Sequence, residues 1–150
     1  MFAQETTGPA SDNADQYWQT QCAGPERKSE LLICTATQSI RVAKSGELLF
    51  RIKLISTADS QATVLELQGP LNIYLPDGYT LSVDGTDLTK VAISNCNSNG
   101  CFGAVKLNSD HIAVLKKGKT LKIMFSPAPK KSRYVETPLA GFTRAMQAIL

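Results

Sequence analysis

Apolar and polar residues alternate along most of the chain. In ELLFRIKLI, Leu48, Phe50, Ile52 and Leu54 share one face, and Leu49, Arg51 and Lys53 share the other. That period of two predicts a half-buried strand. The same alternation recurs in TVLELQ through Leu65 and Leu67, in LNIYL through Leu71, Ile73 and Leu75, and in TLSV through Leu81 and Val83. It continues in TKVAIS through Val91 and Ile93, in GAVKL through Val105 and Leu107, and in TLKIMF through Leu121, Ile123 and Phe125. Turn residues separate these runs. Pro76-Asp77-Gly78 pairs a fixed negative φ with a residue that accepts a positive one, and Asp84-Gly85 is a strong two-residue hairpin signal. Gly69-Pro70 divides two runs, and Lys116 to Lys119 (KKGK) reads as a further turn. Roughly seven to nine short strands at this spacing predict an all-β fold, an antiparallel β-sandwich or barrel-like sheet.

The two ends of the chain break the pattern. In ETPLAGFTRAMQAIL, Thr137 is placed to cap a helix and Pro138 to open it, and Leu139, Phe142, Met146 and Ile149 recur at helical spacing. This predicts a short C-terminal α-helix docked on a sheet by its apolar stripe. Residues 1–16 are rich in Gln, Thr, Ser, Gly, Asn and Asp. So little apolar area does not offset ordering entropy, so the segment is expected to be a flexible tail before a single domain at residues 17–150. Trp18, near the start of that domain, is expected to be a core anchor packed against a disulfide.

The four cysteines are Cys22, Cys34, Cys96 and Cys101. The last two sit in NCNSNGC as C-x4-C, whereas a thioredoxin-type centre needs C-x-x-C at a helix start and a zinc site commonly uses C-x2-C pairs. Asn99-Gly100 favours a hairpin instead. Two structural disulfides in an exported protein are the better reading. Four cysteines allow three pairings, of which the sequential one, Cys22 with Cys34 and Cys96 with Cys101, is the simplest. Chain-entropy arithmetic assigns about 3 kcal/mol to the first loop and about 2 kcal/mol to the second. Both are large against a domain stability of roughly 5–15 kcal/mol. The opening MFAQETTGPASDNADQ has neither the basic start nor the apolar core of a secretory signal. An exported protein with this chain is therefore expected to have lost its signal peptide. No apolar run approaches the roughly 20 residues that span a bilayer.

Net charge is only +3, but it is unevenly placed. Between Asp110 and Glu136 lie Lys116, Lys117, Lys119, Lys122, Lys130, Lys131 and Arg133, with no acid. Such a stretch attracts acidic partners, or simply keeps a strand edge and loop soluble. Aromatic residues do not interleave with these bases in the way a single-strand binder needs, so nucleic acid is not an expected partner.

Four segments resemble the invasion-associated locus B family. WQTQC (Trp18 to Cys22) with Cys34 looks like its opening, and LPDGYTLSVDG carries Pro76, Gly78, Leu81, Asp84 and Gly85. CNSNGC, with Gly100, is similar to the family's C-x3-G-C element, and PLAGFTRAMQAIL, with Leu139, Gly141, Phe142 and Ala145, to its closing motif. The resemblance covers roughly residues 17 to 150, and four motifs in order are fairly specific. It implies an exported protein of alphaproteobacteria, in the periplasm or cell envelope, from a family with some members linked to invasion of host cells, including erythrocytes. It supplies no catalytic residues to carry over.

Isolated chemical signals are weak. His111 is the only histidine, so a Ser-His-Asp arrangement would have to use it, yet no GxSxG elbow is present. Gly118-Lys119-Thr120 lacks the earlier glycine of a phosphate-binding loop. Asp77, Asp84 and Asp87 fall near turns, where acids are common without catalysis or calcium binding. The expectation is a non-catalytic envelope protein without a cofactor or metal. It binds a protein or an acidic host surface through Lys116, Lys117, Lys119, Lys130, Lys131 and Arg133. The alternatives are a periplasmic housekeeping or assembly factor without host contact, and a thiol-redox or hydrolytic enzyme.

Overall fold

The computed structural model describes residues 17–23, 33–57 and 63–149. The expected tail at residues 1–16 lies outside them. The strands are β1 (Gln19–Ala23), β2 (Ile33–Arg41), β3 (Leu48–Thr57), β4 (Thr63–Gly69), β5 (Tyr79–Val83), β6 (Thr86–Val91), β7 (Ile93–Asn97), β8 (Gly100–Leu107), β9 (Thr120–Ala128) and β10 (Lys131–Pro138). Helix α1 (Ser109–Lys117) joins β8 to β9, and α2 (Phe142–Ile149) follows β10.

Two antiparallel sheets form, one in the order β1-β2-β3-β4-β8-β7 and the other in the order β10-β9-β5-β6. The chain passes from the first sheet to the second between β4 and β5, returns between β6 and β7, and crosses again through α1. The alternation fixes which side chains face inward. Phe50, Ile52 and Leu54 of β3 and Leu65 and Leu67 of β4 are buried with Tyr79 and Leu81 of β5 and Leu121, Ile123 and Phe125 of β9. Phe50 meets Tyr79 and Phe125 edge-on across the sheets, with centroids 5.6 and 5.4 Å apart. Each such pair adds roughly 0.5–1.5 kcal/mol beyond its area burial. The all-β architecture with two disulfides and a C-terminal helix is thus as expected.

The wider sheet outreaches the narrower one, and α2 packs against β1, β2 and α1. Phe142, Ala145, Met146 and Ile149 form its buried stripe, with Leu139 just ahead of it. Trp18 is buried as expected, and the ring it meets edge-on is Phe142 of α2, at 5.7 Å. The helix begins later than its cap signal suggested. Thr137 and Pro138 belong to β10, where Pro138 pairs with Thr120, and the chain turns at Gly141 with φ 86° before entering α2.

Other expectations need correction. LNIYL is not a strand: residues 71–72 form a bend and Leu75–Asp77 a 3₁₀ turn, because this segment crosses from one sheet to the other. TKVAIS is divided at Ala92, where the chain changes sheets. KKGK is not a hairpin turn: Lys116 and Lys117 end α1, and Gly118 caps it, donating its N–H to the Val114 carbonyl at 2.9 Å. Asp84-Gly85 is the expected hairpin turn, with φ 50° and 89° at its two residues.

The registers define two ends of the sandwich. At one lie the Gly69↔Cys101 and Asn97↔Gly100 pairs, together with the β9–β10 hairpin. At the other lie the Cys22↔Cys34, Thr63↔Leu107 and Thr120↔Pro138 pairs, with α1.

Candidate functional site

Both disulfides form with the sequential pairing, Cys22–Cys34 and Cys96–Cys101, and each joins residues directly opposite in a strand pair, with Cα atoms 4.0 Å apart. Their positions follow a simple logic. β1 and β7 are the outer strands of the six-stranded sheet, and nearly all their residues are exposed. Burial therefore does little to hold them. Each is instead bonded covalently to its inner neighbour, at diagonally opposite corners of the sheet. No cysteine is free, so no thiol is left as a nucleophile or metal ligand.

His111 is also committed to structure. Asn108 caps α1, its Oδ1 accepting the His111 N–H at 2.8 Å, and His111 Nδ1 accepts the Asn108 N–H at 3.3 Å. Two otherwise unpaired donors of the first turn are thereby satisfied reciprocally. The turn acids are similarly engaged. Asp84 accepts the N–H groups of Lys119 and Thr120 at 3.1 and 3.0 Å, tying the β5–β6 turn to the start of β9. Asp87 accepts the Ser82 hydroxyl at 2.9 Å. Among the described residues, no group of three or more His, Cys, Asp or Glu side chains is placed to hold a metal ion.

The basic residues do not form one surface. Lys116, Lys117 and Lys119 lie at the α1 end, whereas Lys130 and Lys131 lie in and beside the opposite hairpin, with Arg133 further along β10. The nine residues of β9 separate the two groups; at about 3.4 Å per residue that is roughly 30 Å. One aromatic does accompany the stretch: Lys122 Nζ sits 4.5 Å from the centroid of the Tyr134 ring. This is an intramolecular cation–π contact between neighbouring strands.

The structure adds a feature that alternation concealed. In the β4–β5 connection Leu71, Tyr74 and Leu75 are exposed at 44%, 36% and 45%, while Ile73 packs against the core. Tyr74 donates its N–H to the Ser126 carbonyl at 2.7 Å, which fixes the loop beside the end of β9. Lys131 pairs with Ala128 on the other side of that strand. An apolar loop and a basic hairpin therefore share one end of the sandwich. In the sequence they lie more than fifty residues apart, and the exposed leucines fall on a strand-like period.

Among the described residues, no helix is long and apolar enough to cross a membrane. The two disulfides are the chemistry of an oxidising compartment. No curated protein matches the chain. A crystal structure of invasion associated protein b from Bartonella henselae superposes with a TM-score of 0.76 at 21% identity, covering 89% of this chain and 90% of that one. At that identity the likeness establishes a shared fold. Residues 18–150 match the family described as Invasion associated locus B (IalB) protein. With nearly the whole chain matched, two disulfides paired and the shared fold in place, the protein belongs to the invasion-associated locus B family.

Proposed function

We propose that the protein is an exported, non-catalytic binding protein of the bacterial envelope that contributes to host-cell interaction, erythrocytes included. One observation carries the non-catalytic reading: the only histidine closes a helix cap, and all four cysteines are in disulfides. The residue types most often used for nucleophilic and general-base chemistry are thus engaged in holding the fold. Membership of an invasion-associated family supports the host-directed part of the reading. The partner is an acidic host surface, sialylated or phosphorylated, reached through lysines.

Because the basic residues fall at two ends, the test must treat them separately. Binding of the purified protein to erythrocyte membranes is measured for Lys116→Glu/Lys117→Glu and for Lys130→Glu/Lys131→Glu. The proposal expects one pair to abolish retention and the effect to weaken with salt, as the Debye length falls below about 10 Å above 0.1 M. Retention indifferent to both pairs removes the basic surface from the account. Protease shaving of intact bacteria tests the location: cleavage of the protein supports direct host contact, and complete protection favours a periplasmic housekeeping role.

A further inference from the structure

We propose that the end of the sandwich carrying Leu71, Tyr74, Leu75, Lys130 and Lys131 docks on the anionic phospholipid bilayer of the protein's own envelope. This goes beyond host binding and is tested without host material.

Three observations converge on that end. The first is the loop itself: every residue from Leu71 to Asp77 except Ile73 is exposed, and its two leucines and tyrosine present part of their apolar surface to solvent. Ile73 and the hydrogen bond from Tyr74 to Ser126 hold the loop in that posture. The second is charge. Asp77 is the one acid between Pro70 and Val83, no acid lies between His111 and Val135, and the β2–β3 hairpin at the same end adds Arg41, Lys44 and Glu47, so bases outnumber acids there. Lys130 and Lys131 flank the loop from across the end of β9. With strands about 4.8 Å apart, the loop and the hairpin are roughly 10 Å from each other.

The third observation is a conformational oddity. The β9–β10 turn is Pro129-Lys130, and Lys130 has φ 62°. The second central residue of such a turn is ordinarily glycine or asparagine, because a side chain there crowds the backbone. A lysine held in that conformation at an exposed tip points to a use for its charge rather than for its packing.

The combination suits a bilayer better than a rigid protein partner. A standard protein interface covers about 800 Å² per partner, far more than three loop side chains offer. Reversible attachment to lipid needs only a small inserted apolar area together with attraction to anionic headgroups. Tyrosine, with an apolar ring and a polar tip, is at home at that depth. An envelope protein meets phosphatidylglycerol-type surfaces constantly, and the charge of this end matches them.

The experiment is vesicle flotation at low salt. Vesicles of phosphatidylethanolamine with phosphatidylglycerol are compared with neutral phosphatidylcholine vesicles and with neutral vesicles carrying a sialylated ganglioside. Flotation is expected with phosphatidylglycerol alone. Lys130→Gln/Lys131→Gln is expected to lower partitioning at least tenfold, since each lysine near an anionic surface is worth about fivefold. Leu71→Ser/Leu75→Ser should lower it similarly, and Lys116→Gln/Lys117→Gln at the far end should leave it within about twofold. Lys130→Gly separates binding from folding: it should raise the melting temperature while weakening partitioning about fivefold. The proposal is overturned by absence of flotation, by equal loss in the far-end variant, or by binding to the ganglioside vesicles alone. It is also overturned by a dimer in sedimentation that Leu71→Ser/Leu75→Ser dissolves. Erythrocyte retention is a separate readout, so failure here leaves the host-binding reading standing and the reverse also holds.

Discussion

The Tyr79 hydroxyl, on the first residue of β5, donates a 2.9 Å hydrogen bond to the carbonyl of Cys101 in the facing sheet. It lies against Gly69, which pairs with Cys101 across β4 and β8. A Cβ at Gly69 would overlap both the Tyr79 hydroxyl and Phe50 Cε2. The glycine is therefore what lets the tyrosine reach through the core, and the disulfide-bearing strand is held to the second sheet by that reach. Tyr79→Phe should cost about 1–2 kcal/mol, because a buried carbonyl loses its partner. Gly69→Ala should cost about 1–3 kcal/mol through overpacking. The double variant should lose less than the sum, since removing the hydroxyl relieves part of the overlap. Urea unfolding of the three variants checks this.

The same hydroxyl gives the fold an alkaline limit. Burial pushes Tyr79 well above the ordinary phenol value of 10.0, while a hydrogen bond with the Gly69 backbone pulls the other way. The folded state thus keeps the proton that the unfolded chain loses first. The Tyr79 contribution is complete below about pH 10 and is lost as pH rises from there toward the raised folded value. Unfolding midpoints compared between the parent and Tyr79→Phe should diverge in slope only above pH 10, the parent falling more steeply. Parallel curves would contradict the assignment.

Removing the staples should loosen the edges before the core. Cys22→Ser/Cys34→Ser should cost about 3 kcal/mol and Cys96→Ser/Cys101→Ser about 2 kcal/mol. Hydrogen exchange should show β1 or β7 opening first, because their exposed side chains contribute little burial, while β3, β4, β5 and β9 stay protected.

The cap of α1 offers a sharper test of the histidine. Asn108→Ala should cost about 1 kcal/mol. His111→Gln, which retains an acceptor at the same position, should be nearly neutral, and His111→Ala should cost about 0.5–1 kcal/mol. Thermal unfolding measures all three. A large loss with His111→Gln would point to a role for the imidazole beyond capping.

What could be read in the sequence tracks how apolar each inner face is. β3, β4, β5 and β9 alternate cleanly because their inward positions carry Leu, Ile, Val and aromatic residues. β2 escapes notice because its inner face is Ala36, Gln38 and Ile40, and β10 because its own is Val135 and Thr137. Gln38 leaves its Oε1 buried without a partner, a placement no periodicity anticipates. α1 leaves no helical period in the sequence because Leu115 is its one buried residue and its capping box uses histidine where Glu or Gln is usual. LNIYL misled in the opposite sense, since alternation shows only that a segment could lie on a sheet, and this one bridges two.

The disulfides were readable because each is local: Cys96 and Cys101 flank a hairpin turn, and Cys22 and Cys34 are twelve residues apart. The candidate surface was not, because proximity in sequence grouped lysines that β9 holds at opposite ends. It also left Leu71, Tyr74 and Leu75 far from Lys130 and Lys131, which lie near them in space.

The central claim is that the fold is locked by two local cross-strand bonds made outside the reducing cytoplasm. Peptide mapping under non-reducing conditions, on protein drawn from the bacterial envelope, tests it most directly. The account predicts two linked peptide pairs, Cys22 with Cys34 and Cys96 with Cys101, in essentially all molecules. Free thiols at these positions, or a link between the two edges of the sheet, would contradict it.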